Sequence, residues 1–152
     1  MGLISMNNQA QPSDIERLVG LYQRLIGTNG GNRDLDAELW SWLYKGPKNT
    51  AAYAGHAGVP HYTSSMDAAN QFLIMSLPGW QIHTLHGGVS LWHCNVCLTN
   101  DAEETAGGIG KSAAVAILSA AITGLISQRL LYWSLDANEH KHQPKKEPEG
   151  VG

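Results

Sequence analysis

Charge, cysteine and membrane-length apolar runs are all scarce in this chain. Of its 152 residues only 15% are charged, with 10 Lys and Arg against 13 Asp and Glu. No basic block interrupts the part expected to fold, so a surface that tracks phosphate backbones is not expected, nor is nucleic acid as a partner. The two cysteines, Cys94 and Cys97, are too few for a secreted disulfide scaffold. The longest apolar run, Ala113 to Ile126, falls short of the roughly 18 residues that span a bilayer, and reads as a buried helix with no membrane partner. The first residues lack the basic flank and apolar centre of a secretory signal, and Ser5 stands one position early for the myristoylation pattern after Gly2. The expectation is a cytoplasmic protein. No Ser/His/Asp nucleophile signature is present. Asp34, Asp36 and Glu38 fit a helix start, and Asp101, Glu103 and Glu104 fit a solvated loop, so no carboxylate pair points to acid/base catalysis.

What is present suits one globular core: 43% hydrophobic residues, with glycine abundant at 17. The expected organisation is a flexible 1–12, one domain over 13–135 and a disordered tail over 136–152, charged and proline-containing. SDIE, from Ser13 to Glu16, has the form of a capping box, and Ile15, Leu18, Val19, Tyr22, Leu25 and Ile26 recur on one helical face. This predicts a helix from Asp14 to Ile26, ended by Gly27. A second is predicted over Asp34 to Tyr44, its acidic first turn complementing the helix dipole. Trp40 falls off its apolar side, to pack under the next segment or stay exposed. Lys45 to His61 has no period and reads as a long loop carrying Tyr53 and His56.

The stretch from Pro60 to Trp80, PHYTSSMDAANQFLIMSLPGW, organises the remainder. Ser64 or Ser65 caps a helix that Pro78 and Gly79 stop. WQIHTLH alternates, which puts Trp80, Ile82 and Thr84 on one face and Gln81, His83 and Leu85 on the other. Gly87-Gly88 signals a two-residue hairpin turn, and Val89 to Leu98 is the returning strand. Its alternation sets Trp92, Cys94 and Val96 opposite His93, Asn95 and Cys97. Asn100 to Gly110 reads as a polar, glycine-rich loop into the last helix, which is expected to reach about Leu131.

Three patterns invite chemistry. HCNVC brings two cysteines within metal-ligand spacing, yet on a continuous strand residues three apart point to opposite faces and cannot share one ion. His83, His86 and His93 lie on or beside neighbouring strands; His61, His83, His93 and Cys97 are the metal or acid/base candidates if the chain brings them together. GGIGKS, Gly107 to Ser112, resembles the end of a P-loop. Thr105 stands where the first glycine of that pattern is needed, which removes the NTPase reading. Gly107, Gly108, Gly110, Lys111 and Ser112 at a helix N-terminus remain as an anion site, open against plain capping of a buried helix.

YTSSMDAANQFLIMSLPGW, then a tryptophan-containing hairpin, then AGGIGKSAAVAILSAAI resembles the phage ABA sandwich domain, a family of small phage and prophage proteins. The resemblance covers roughly Leu35 to Ile126, and its sharpest element is Tyr62-Thr63-Ser64-Ser65 with Asp67-Ala68-Ala69. It implies an α/β (α+β) fold, a small antiparallel sheet with helices on both faces in an α-β-α sandwich, and it carries no catalytic residues. The expected function is a non-enzymatic accessory binding protein in the host cytoplasm, countering host defence by binding a host protein or sequestering a small phosphorylated, nucleotide-type signal. Tyr62, Trp80 and Trp92 beside the glycine-rich anion site are the expected ligand-binding residues. No cofactor is expected. Five tryptophans among sparse charge suggest a homo-oligomer. The alternative is a metal-assisted enzyme built on the His/Cys group.

Overall fold

The computed structural model describes residues 12–44, 58–99 and 101–142. The expected flexible N-terminal residues to 11, the loop residues Tyr53 and His56, and the tail beyond 142 lie outside them. Among the described residues, four helices and three strands follow in the order α1 (Pro12–Gly27), α2 (Arg33–Tyr44), α3 (Met66–Ser76), β1 (Trp80–Gly87), β2 (Trp92–Leu98), β3 (Asp101–Gly110) and α4 (Ala113–His142). The class is mixed α/β with an antiparallel sheet of order β1-β2-β3, as the sequence predicts.

Each early helix starts where local chemistry dictates. α1 begins at Pro12 rather than after Ser13, since proline's fixed φ and missing N–H suit a first turn; the side chain of Ser13, and with it the capping box, lies outside the described residues. The Asn32 side chain accepts a hydrogen bond from the Leu35 N–H at 3.1 Å and so caps α2. Ser65 caps α3 in the same way, accepting from Ala68 N–H at 3.1 Å. α3 ends in a turn in which Trp80 N–H donates to Leu77 O. Proline and then glycine at φ +89° hold its two central positions, the combination a type II turn favours.

β3 is the first departure from the sequence reading. The segment expected to be a loop pairs with β2 from Trp92↔Gly110 to Cys97↔Thr105. A second departure lies in β1. The register slips between Ile82 and Thr84, leaving His83 in a bulge. Because side-chain direction has period two, this one residue reverses the rest of the strand. Thr84 now faces the same side as Gln81, and Leu85 joins Trp80 and Ile82. The hairpin turn also runs from Gly88 to Leu91, closed by Gly88 N–H to Leu91 O at 2.6 Å, so β2 starts at Trp92 rather than Val89.

α4 lies along one face of the sheet, against β3, β2 and β1, with α1 and α3 packed on α4. Ala114 to Leu118 and Ala120 to Ile122 are buried in this layer with Phe72, Leu73, Leu77, Trp80 and Val96. Close approach is set by small residues. A Cβ on Gly108 would overlap the Ser119–Ala120 backbone, and one on Gly110 would stand 2.5 Å from Val115 Cγ1 and 2.7 Å from Ala116 N. From the helix side, a Cβ on Gly124 would meet Leu77 Cδ1 at 2.8 Å. β3 is thus a strand whose inward positions are Ala106, Gly108 and Gly110 because a helix backbone occupies the space that side chains would need.

α4 continues to His142, beyond the boundary expected near Leu131 and into the segment expected to be a disordered tail. Over Ala113–Tyr132 it is long and apolar enough to cross a membrane by length and composition, unlike the run from Ala113 to Ile126 alone, yet 61% of that window is buried inside the fold. Past Ile126 its apolar residues Leu130, Leu131, Tyr132 and Leu135 are exposed. Arg17 of α1 and Arg129 of α4 both place guanidinium groups over the Trp42 ring of α2, at 5.2 and 5.6 Å from its centroid, which joins three helices through one aromatic face. Trp40 is half-buried, its ring 4.8 Å from that of Tyr44.

Candidate functional site

The Tyr62-Thr63-Ser64-Ser65 stretch, the sharpest motif in the sequence, is an internal clamp. Tyr62 is 2% exposed and meets Phe72 edge-on at 5.5 Å, so it does not offer its ring to a ligand. Burial, with Tyr44 and Asp36 adding to it, pushes its phenol up to about 12. Thr63 joins a buried network. Its backbone N–H and hydroxyl both donate to Asp36 Oδ1 at 2.8 Å, and its hydroxyl accepts from Asn32 N–H at 2.7 Å. Asp36 Oδ2 takes a further bond from Arg33 at 2.8 Å, and Arg33 reaches on to Val59 O at 2.9 Å and Pro60 O at 3.3 Å. The buried carboxylate is therefore matched by a guanidinium and by two donors of Thr63. Its chemistry is structural: it ties the start of α2 to the approach to α3.

GGIGKS likewise divides between strand and cap. Gly107, Gly108 and Gly110 lie in β3, paired with Asn95, Cys94 and Trp92, so they form no phosphate-cradling loop. Ser112 accepts from Val115 N–H at 3.2 Å and caps α4. Lys111 is exposed between them. Trp80 is a core residue at 6% exposure, and Trp92 is half-buried, its indole crowding the place where a Cβ on Gly87 would lie. The expected aromatic and glycine site is thus not brought together.

The His/Cys candidates also separate. Cys94 and Cys97 are both free and buried, and as strand alternation predicts they fall on opposite sides of β2. Burial pushes the Cys94 thiol up to about 11. His83 is exposed in the bulge and His61 is exposed before α3, where its carbonyl accepts from Ser64 and Ser65 N–H. Among the described residues no three His, Cys, Asp or Glu side chains converge as a metal-ligand group. The cross-strand partner of His93 is His86, which the bulge turns to the outer face where unbroken alternation would have put Leu85. Their rings stack 5.4 Å apart and 20° from parallel.

That pair belongs to a site the sequence did not reveal. On the sheet face turned away from α4, Thr84, His86, His93, Asn95 and Gly107 are all exposed. An open depression of about 350 Å³ lies there, lined by Tyr22, His86, His93, Cys94, Asn95, Gly107, Gly108 and Ile109. Gly107 keeps the space open: a Cβ there would stand 3.0 Å from Asn95 Oδ1. Asn95 Nδ2 donates to Thr84 Oγ1 at 3.2 Å, which orients the amide on this face. Tyr22 comes from α1, far away in sequence. The lining holds hydrogen-bonding groups of both kinds and no carboxylate, lysine or arginine. The available signal was the polar pair His93 and Asn95 facing outward on what proves to be the central strand.

Compared with family models, with curated proteins and with solved structures, the chain matches none.

Proposed function

We propose that this chain is a non-enzymatic binding protein whose ligand occupies the depression beside His93 and Asn95. The observation that carries this reading is the makeup of that depression: hydrogen-bonding side chains around a glycine, with no carboxylate, lysine or arginine, on an otherwise exposed sheet face. Its 350 Å³ stands at the lower end of the range of about 300–1,000 Å³ usual for small-molecule sites, which fits a ligand of nucleoside or mononucleotide size. A nucleobase edge offers the donors and acceptors that Asn95, Tyr22 and the imidazoles can meet. Lys111, exposed at the end of β3, is available to an attached phosphate. The lining lacks a carboxylate, and the Cys94 thiol points to the opposite, inner face of the sheet, buried and held in its protonated form, which favours binding over turnover.

Joined to the family resemblance, this gives a phage or prophage accessory protein that sequesters a small phosphorylated signal in the host cytoplasm. The test begins with native mass spectrometry of protein purified gently without added ligand, followed by calorimetric titration of mononucleotides and cyclic nucleotides. A retained nucleotide-sized mass, with binding that N95A weakens at least tenfold while the melting temperature holds, is the expected result. Failure of every nucleotide to bind below millimolar concentration overturns the reading, and co-purification of a host protein in its place moves the function to that partner.

A further inference from the structure

We infer that His86 and His93 form a two-imidazole chelate for a borderline divalent ion such as Cu²⁺ or Zn²⁺ on the outer sheet face. The two residues are direct cross-strand partners. Side chains in that relation start from Cβ atoms about 4.5–5.5 Å apart and extend the same way from the sheet. Their rings already lie side by side, 5.4 Å between centroids and 20° from parallel. Nitrogens bound to one ion at about 2.0–2.1 Å in tetrahedral geometry stand roughly 3.3 Å apart, a separation reached by leaning two such rings together. Both side chains are exposed, so that motion displaces water rather than packed neighbours.

Imidazole suits copper, zinc and nickel, whereas magnesium and calcium prefer oxygen donors. The affinity should follow the usual order for nitrogen ligands, copper above zinc. Two protein ligands leave the remaining positions to water, consistent with the absence of a third convergent ligand among the described residues. Both histidines line the depression, so the open positions of the ion face its space. An ion held there supplies the positive charge that the lining lacks. This last consequence, unlike the chelate itself, rests on the nucleotide reading above.

The test uses the full chain and the metal alone. Cu²⁺ and Zn²⁺ are titrated into wild type, H86A, H93A, H83A and an H140A/H142A variant, with circular dichroism to check the fold and electron paramagnetic resonance to count nitrogen ligands on copper. One ion per chain at micromolar affinity, a signal from two nitrogens, at least tenfold weakening in H86A and in H93A, and retention in the other two variants is the expected outcome. Wild-type affinity in H86A, or loss confined to H140A/H142A, overturns the chelate. A second titration, of a mononucleotide with and without Zn²⁺, separates the two proposals. Metal binding without any nucleotide binding sinks the nucleotide reading alone, and nucleotide binding with no metal bound sinks the chelate alone.

Discussion

Asp36 Oδ1 accepts two hydrogen bonds from Thr63, one from its backbone N–H and one from its hydroxyl, each 2.8 Å long. The carboxylate is fully buried and its other oxygen is held by Arg33. Removing one partner of such an arrangement leaves a buried polar group unmatched, which costs more than the bond itself contributes. Thr63→Val should lower stability by about 1–3 kcal/mol, and Asp36→Ala by about 3 kcal/mol or more. Thr63→Ser, which keeps both donors, should lose much less. Urea denaturation of the three variants measures this, and equal losses for Thr63→Val and Thr63→Ser would contradict the clamp.

Adjacent glycines on β3 should respond in opposite ways. Gly108→Ala drives a methyl into the Ser119–Ala120 backbone, where neither a strand nor a helix can yield cheaply. The expected cost is about 1–3 kcal/mol or more, seen as a lower thermal midpoint. Gly107→Val points instead into the open depression beside Asn95. It should leave the melting temperature near wild type and block the binding site. A Gly108→Ala protein as stable as wild type would contradict the helix-on-strand packing.

These two glycines also mark where sequence reading stops. α1, α2 and α3 were legible because their apolar periods and end signals agree, and β1 and β2 because polar and apolar residues alternate. β3 was not, since Asp101–Gly110 has one β-branched residue on each side of a glycine pair and nothing larger than alanine at its inward positions Ala106, Gly108 and Gly110. Only the partner helix explains why those positions must be small. The bulge at His83 is set by cross-strand pairing, which no local pattern records, and it turned His86 rather than Leu85 to the face of His93. The charged residues after Trp133 read as a tail because they lack an apolar face, although most of them are compatible with a helix. The depression needs β3, the corrected face of β1 and Tyr22 of α1 together, so the sequence supplied His93 and Gly107 without their setting.

Alkaline pH should unfold the protein through two identified groups. Cys94, raised from 9.0 to about 11, and Tyr62, raised from 10.0 to about 12, both stay protonated longer in the folded state than in the unfolded chain. The unfolded state therefore binds fewer protons across this range, and stability falls as pH rises. The contribution of Cys94 is intact below pH 9 and is lost as pH rises towards 11; that of Tyr62 is intact below pH 10 and is lost towards 12. Urea midpoints from pH 8 to 12 should decline accordingly. Cys94→Ala should remove the earlier part of the decline and Tyr62→Phe the later part. A midpoint that stays level to pH 11 in wild type contradicts the assignment.

The native Cys94 thiol should also resist thiol reagents at neutral pH and react once the chain is unfolded, because it is both buried and kept protonated. Mass spectrometry after brief alkylation, with and without urea, reads the site directly. Rapid native labelling of Cys94 would show that the inner sheet face opens more readily than its packing implies.

The central claim is that ligand binds on the sheet face away from α4 and not at the glycine-rich entry to that helix. The most direct measurement is a backbone amide NMR titration of the labelled full chain with a mononucleotide panel. The account predicts shifts gathered on Thr84, His86, His93, Asn95 and Gly107, with Ser112 to Ala116 little changed. Shifts centred on Ser112 and the first turn of α4, or none with any nucleotide, would contradict it.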